Sequence, residues 1–429
     1  MIHRSSLAFR LWVLLLLSGV PVSGVWGQAA TSSSQLESDL RFLADDRLEG
    51  RRTGSPGADS AAAYIARRFA ASGLHPAGSL GSWFQTFVVA PTAPAAHGTD
   101  LTGASGQNVV GVLRGRDPSL ADDYVVIGAH YDHLGLGGQG SLDPSTRVVH
   151  NGADDNASGV VALLEIARRL ALRPPARSVV FVAFSGEELG RLGSSAFVTD
   201  AVVPKGRMTV MLNFDMVGRL RDDRLVVYGV ETAAEWRRLL ESLNATHRFA
   251  LNLQHGGYGP SDHTSFTVAG VPVLHFFTGT HEDYHRSTDD WPRINIEGIE
   301  RIAALAADVA RAVADRDAPL TFVHSPPPTP PSGGNRSSGY GAYLGTVPDM
   351  TDNPGGVRLS GVRAGSPAEQ AGLRAGDIIT RIGDHRVGDL QAMTDALRAY
   401  QAGASARLVF LRDGREHRVT VTFGLRGGG

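Results

Sequence analysis

Several stretches of this chain place histidines and carboxylates where an apolar run ends. In G-A-H-Y-D-H-L-G the run Tyr124–Ile127 leads into His130 and Asp132, and after a short loop H-N-G-A-D-D-N-A-S-G offers Asp154 and Asp155 just ahead of Ser158. Imidazole nitrogen and carboxylate oxygen are ligands that zinc accepts. The chain has no cysteine, which excludes disulfides and thiolate metal sites, so a metal here must be held by His, Asp and Glu. An isolated H-x-D pair is common by chance, and a loop of solvated acids reads the same way. The argument therefore rests on convergence. The run Ser178–Phe184 ends ahead of S-G-E-E-L-G, with Glu187 and Glu188, and the run Met208–Phe214 ends at Asp215. Adjacent glutamates repel unless a cation offsets them or one is protonated. A general base beside a metal-bound carboxylate meets that condition, as does an acidic first turn of a helix.

Further along, S-D-H-T-S-F carries His263, and H-E-D-Y-H-R-S-T-D-D-W carries His281, Tyr284, His285 and Asp289. His285 follows the apolar run Val273–Phe277 and a Gly-containing loop, with Tyr284 beside it, and is the candidate for a last ligand. His281 and His263 read as surface or supporting histidines, and His133, His150 and His275 as structural ones.

The elements that must position these groups alternate. Strands are expected near 83–89, 109–113, 124–127, 178–184, 208–214, 225–228 and 273–277, with helices from Ser34, over 58–72, 158–172, 233–243 and 296–313. S-V-V-F-V-A-F, over Ser178–Phe184, has the continuous β-branched and aromatic character of a strand covered on both faces. Such alternation implies an α/β fold with a mostly parallel (mixed) sheet flanked by helices. Parallel strands direct their C-terminal ends to one edge of the sheet, where the candidate ligands converge. Ser158 is placed to cap its helix. The Arg- and Gly-rich stretch D-R-L-E-G-R-R-T-G-S-P-G reads as an exposed turn between the first two helices.

At 429 residues the chain is long enough for two domains, and its net charge of -2 provides no basic field for nucleic acid or an anionic membrane. Residues 1–27, with Arg4 and Arg10, an apolar core Leu11–Leu17 and a small-residue end, read as a signal peptide cleaved after Gly27, since the apolar run is about ten residues against the roughly 20 needed to span a bilayer. That implies a secreted or periplasmic protein with no membrane association after signal removal. A first domain is expected over 34–317, and a Pro/Gly/Ser-rich linker over 318–338, in which S-P-P-P-T-P-P-S-G-G implies little core shared between the domains on either side. A small β-rich domain over 339–425 has one clear helix, Leu390–Tyr400.

Five motifs in order, G-A-H-Y-D-H-L-G, N-G-A-D-D-N-A-S-G, F-S-G-E-E-L-G, N-F-D-M-V-G and D-Y-H-R-S-T-D, resemble those of secreted di-zinc aminopeptidases, whose leucyl aminopeptidase and glutamate carboxypeptidase superfamily also includes glutaminyl cyclases. The resemblance implies a zinc exopeptidase fold and two Zn2+ per chain. His130 and Asp215 would bind one ion, Glu188 and His285 the other, and Asp155 would bridge. It implies Glu187 as general base, Asp132 as the carboxylate orienting His130, and Tyr284 as a hydroxyl steadying the substrate carbonyl. The expected substrates are peptides with a free N-terminus. A carboxypeptidase or cyclase on the same fold is the alternative enzyme, and a metal-stabilised peptide-binding protein without catalysis is the alternative from another class. G-A-Y-L-G-T-V and G-V-R-A-G-S-P-A-E-Q-A-G-L-R-A-G-D-I-I resemble a PDZ domain, which implies that Tyr343, Leu344 and Gly345 receive a peptide's terminal carboxylate beside the helix Leu390–Tyr400.

Overall fold

A computed structural model describes residues 24–89, 103–138, 140–143, 147–200, 202–204, 206–324, 342–348, 355–363, 365–388, 392–393, 396–397 and 399–424. Most of the expected signal peptide, the proline-rich part of the linker and much of the expected helix Leu390–Tyr400 lie outside the described residues. No helix among the described residues is long and apolar enough to cross a membrane.

The first domain opens with α1 (Gly24–Leu43), α2 (Pro56–Ala71) and the strands β1 (His75–Pro76), β2 (Phe84–Val88), β3 (Ser105–Leu113) and β4 (Tyr124–His130). Next come α3 (Gly159–Ala171), β5 (Ser178–Phe184), α4 (Leu192–Thr199), β6 (Met208–Phe214), β7 (Arg224–Tyr228), α5 (Trp236–His247), β8 (Ala250–Leu253), α6 (His263–Val268), β9 (Val273–Phe277) and α7 (Ile296–Ala314). The sheet order is β1-β3-β5-β4-β6-β9-β7-β8, with β2 also on β3. The four central strands, β5, β4, β6 and β9, run parallel. Antiparallel pairings join them to the flanks through β3 and β7, which makes the sheet mixed.

All seven residues of β5 are buried, and their alternation divides the core in two. Val179, Phe181 and Ala183 join the large cluster with α1, α2, α3, α5 and α7, whereas Val180, Val182 and Phe184 join Phe197 of α4 and Phe266 of α6 on the other face. Burying each such side chain contributes about 1.5–3 kcal/mol, which is why a strand so apolar sits at the centre of the sheet. A Cβ at Gly128 would meet Phe184 Cε2 at 2.4 Å, so only glycine lets β4 pass this ring on its way to His130.

Residues Leu320–Val323 remain on this domain. Ala233 bridges Phe322, and Val323 N–H donates to Thr232 O. The second domain contains β10 (Thr346–Pro348), β11 (Val357–Val362), α8 (Pro367–Gln370), β12 (Ile378–Ile382), β13 (His385–Arg386), β14 (Ser405–Arg412) and β15 (Arg415–Thr422). These strands form a separate antiparallel sheet in which β10 is an edge strand. Its core includes Leu344, Leu359, Ile379, Leu408 and Phe410 and is distinct from that of the first domain.

Candidate metal centre and active site

Strands β4, β5, β6 and β9 end on one edge of the sheet, and the chemistry-bearing side chains meet there. His130, at the end of β4, sets Nε2 3.3 Å from both Asp155 Oδ1 and Asp215 Oδ1. The other Asp155 oxygen, Oδ2, lies 3.1 Å from His285 Nε2, which is itself 3.4 Å from Glu188 Oε2. Asp155 thus stands between two sets of donors. Burial alone would raise its carboxyl, but hydrogen bonds from His130 and His285 outweigh that and hold it well below the usual carboxylate range. Burial also opposes charge on His285, yet the Glu188 and Asp155 carboxylates push its imidazole up to about 9.

His133, read from sequence as structural, is brought into this centre. Its Nδ1 is 2.8 Å from Glu188 Oε1 and 3.8 Å from Asp155 Oδ2, so donor atoms of His130, Asp155 and Asp215 form one group and those of His133, Asp155 and Glu188 a second. His285 shares the carboxylates of that second group. Nothing in a histidine three residues beyond a strand end distinguishes it from a loop residue. Gly152 makes room for it: its φ is +53°, and a Cβ there would meet the His133 ring at 2.5 Å.

Asp132 is fully buried and anchors the neighbouring turn. Its carboxylate accepts Glu187 N–H at 3.2 Å and the Thr53 hydroxyl at 3.0 Å. His130 Nδ1, however, is 3.1 Å from the backbone carbonyl of Asp132 and 3.7 Å from its carboxylate, so the carbonyl is the hydrogen-bonding acceptor. Glu187 is partly buried; desolvation pushes its carboxyl well above the usual range, with Asp262, Glu188 and Asp215 adding repulsion and His130 opposing. Tyr284 stacks on His285 with ring centroids 3.9 Å apart, and burial among these acids raises its phenol.

Three further groups support the centre. Asp154 faces away from the donors: its carboxylate accepts Gly218 N–H at 2.7 Å and the Ser158 hydroxyl at 3.0 Å, and lies 3.0 Å from His281 Nε2. Ser158 therefore does not cap its helix; its hydroxyl is committed to Asp154 and also accepts Val217 N–H. Asp289 Oδ2 accepts the N–H groups of both Asp154 and Asp155, fixing the turn that presents Asp155 to both groups of donors. The Arg-rich turn differs from the exposed one expected, for Arg51 is 1% exposed. Its guanidinium donates to the carbonyls of Leu43, Tyr131, Asn151 and Gly152, joining the loops on either side of the site, and burial lowers it to about 10. His263, expected at the surface or in support, is buried and stacked on His275 at 4.4 Å.

The donor set fits zinc. It is confined to imidazole and carboxylate groups, gathered on rigid strand ends, with one acid common to two groups. The model of peptidase family M28 matches residues 108–310, and that of the PDZ domain matches residues 342–423. The chain carries a peptidase M28 domain followed by a PDZ domain. Aminopeptidase YwaD of Bacillus subtilis is 31% identical over 235 residues, covering 52% of this chain and 48% of the relative. Leupeptin-inactivating enzyme 1 of Streptomyces exfoliatus is 30% identical over 190 residues, covering 43% of this chain and 38% of that one. This chain thus spans about half or less of the length of these relatives. The M28 domain shares its fold with a zinc aminopeptidase structure from Bacillus subtilis (TM-score 0.53, 20% identity, 67% of this chain and 96% of that one). It shares it equally with a glutaminyl cyclase from Bacteroides thetaiotaomicron (TM-score 0.53, 18% identity, 66% and 97%).

Proposed function

We propose that this chain is an exported aminopeptidase that removes N-terminal residues from peptides, with two zinc ions at the strand-end centre. The observation that carries the reading is Asp155, whose two oxygens face separate sets of donors. His130 and Asp215 would hold one ion and Glu188 and His285 the other, with His133 beside Glu188. Bound there, zinc supplies Lewis-acid polarisation of the scissile carbonyl and lowers the pKa of a water. Glu187 has the environment of a general base: a carboxyl of raised pKa takes a proton from the attacking water and passes it to the leaving amine. The Glu187 backbone is held by Asp132, which keeps that carboxyl beside the reacting atoms. Tyr284, packed on His285, offers its hydroxyl to the substrate carbonyl oxygen. The neighbouring carboxylates can receive a free substrate amine, and a spare base beside the donors argues against a purely structural metal. In the PDZ domain, Tyr343, Leu344 and Gly345 are proposed to receive a peptide's carboxyl end.

The test is hydrolysis of aminoacyl reporters by the full chain, with N-blocked reporters as controls. Free amines should be required, chelator should abolish turnover, zinc should restore it, and elemental analysis should find about two metals per chain. A metal-free preparation of full activity, or equal turnover of blocked reporters, would refute the reading. Carboxypeptidase or cyclase action would appear in the same panel as release of C-terminal residues or as ammonia from N-terminal glutamine.

A further inference from the structure

The proposed ligand His285 has a φ of +55°, a left-handed conformation that is strained for a non-glycine residue and persists only where its surroundings hold it. Residues 140–143 provide the hold. His285 Nδ1 donates to Gly140 O at 2.9 Å, while Leu142 N–H donates to His285 O at 2.8 Å. Arg286 Nη1 donates to Leu142 O at 3.2 Å and to Asp143 Oδ1 at 2.8 Å, and Ser287 N–H donates to Asp143 Oδ2 at 2.9 Å. Because Nδ1 is committed to Gly140, Nε2 is the ring nitrogen that faces Asp155 and Glu188.

A carbonyl oxygen has two lone pairs, and the second on Gly140 is used from the other domain. Arg363 Nη2 donates to Gly140 O at 2.8 Å, 223 positions along the chain. Arg363 directly follows β11, and its backbone N–H donates to Gly345 O at 2.8 Å, so it is anchored on the Tyr343-Leu344-Gly345 loop. A cationic donor makes a stronger bond than a neutral one and fixes the direction of the carbonyl it grips.

We propose that Arg363 is a positioning residue for the metal ligand His285, so that the PDZ domain completes the outer shell of the metal centre. The chain of contacts runs from the Gly345 carbonyl through Arg363 to Gly140 and then to the imidazole. The inference rests on the reading of His285 as a zinc ligand, and its test is a binding measurement that separates the two.

In the full chain, zinc affinity is measured by competition with a chromogenic chelator for the wild type and for Arg363→Ala, Arg363→Lys and Arg358→Ala. Removing an outer-shell partner of a ligating histidine typically weakens metal binding 10- to 100-fold. Arg363→Ala should weaken one of the two ions by about that factor and leave the other unchanged. Arg363→Lys, which keeps a cationic donor, should recover most of the loss, and Arg358→Ala, at an exposed position of β11, should match the wild type. A merely structural role would lower the melting temperature without separating the two ions. Should Arg363→Ala fail to fold, Arg363→Gln, with a neutral donor, is expected to fall below the lysine variant in affinity for the same ion. Wild-type affinity for both ions in Arg363→Ala, or in Arg363→Gln if the alanine variant does not fold, overturns the inference and leaves the zinc reading intact. Absence of zinc binding by the wild type overturns the zinc reading itself.

Discussion

Asp154 and Asp155 are adjacent, equally enclosed acids with opposite employment. The protein satisfies Asp154 with a backbone N–H, a hydroxyl and His281. Asp155 is met by imidazoles that carboxylates from other strands also face. A carboxylate whose lone pairs are filled by fixed donors is a strut, and one set among histidines and further acids is a place for a cation. His281 and His285, four residues apart, divide in the same way.

The sharpest way to break that comparison is to neutralise each acid in turn. Asp155→Asn should lose both metals and reduce hydrolysis to background, a fall of at least about 10,000-fold, since it removes the shared ligand. The expected readouts are metal content and turnover; retention of two metals would end the distinction between the pair. Glu187→Gln should keep both metals yet lose activity by about 100- to 10,000-fold, the size of a general acid/base contribution. Glu188→Gln should instead lose metal, and the reverse pattern would exchange the roles of base and ligand. Asp154→Ala leaves His281 and the Gly218 N–H without their partner, so unfolding in urea should show a loss of about 1–3 kcal/mol. Its effect on metal content should be small by comparison with Asp155→Asn.

A pH-dependent effect concerns histidines the site does not use. Burial lowers His275 to about 4 and holds His263 well below its usual value. An unfolded chain takes up a proton on His275 near pH 6.5, but the folded one does so only near 4, so the stability this group contributes is full above about 6.5 and is lost as pH falls towards 4. For His275 the loss is about 3 kcal/mol. Asn213 Nδ2 is 3.1 Å from His275 Nδ1, where a second proton would oppose a donor. The gap between melting curves at pH 7 and 5 should therefore narrow in His275→Phe, in which Asn213 keeps its bond to Ser261 and His263 supplies the remainder. An unchanged difference between the two pH values would exclude His275 as its source.

What could be read from the sequence was whatever has a local signature. S-V-V-F-V-A-F announces a doubly covered strand, and an acid at the end of such a run marks the edge where Glu187, Glu188 and Asp215 now stand. The missed features depend on partners far along the chain. Arg51 looked exposed because a Gly-rich turn usually is, while the carbonyls that bury it come from residues as distant as Gly152. Ser158 had the right spacing for a cap but was claimed by Asp154. His133 and Arg363 carry no periodicity or motif spacing that points to the strand-end site; each acquires its role only when two separate segments meet.

The Arg51 clamp and the Asp289 brace also set the order in which the molecule can mature. Arg51 binds carbonyls 80 to 101 positions ahead of it, and the turn bearing Asp155 is secured by Asp289, 134 positions further on. Contacts so remote in sequence can form only after long stretches of chain have been closed into loops, and a fold rich in them is slow to form. A polypeptide emerging amino end first thus has the Leu43 carbonyl for Arg51 from the outset, but the carbonyls of Tyr131, Asn151 and Gly152 only later. The Asp155 turn is braced only after nearly the whole first domain has been made. A fragment ending before Asp289 therefore lacks the acceptor that holds the Asp154 and Asp155 N–H groups.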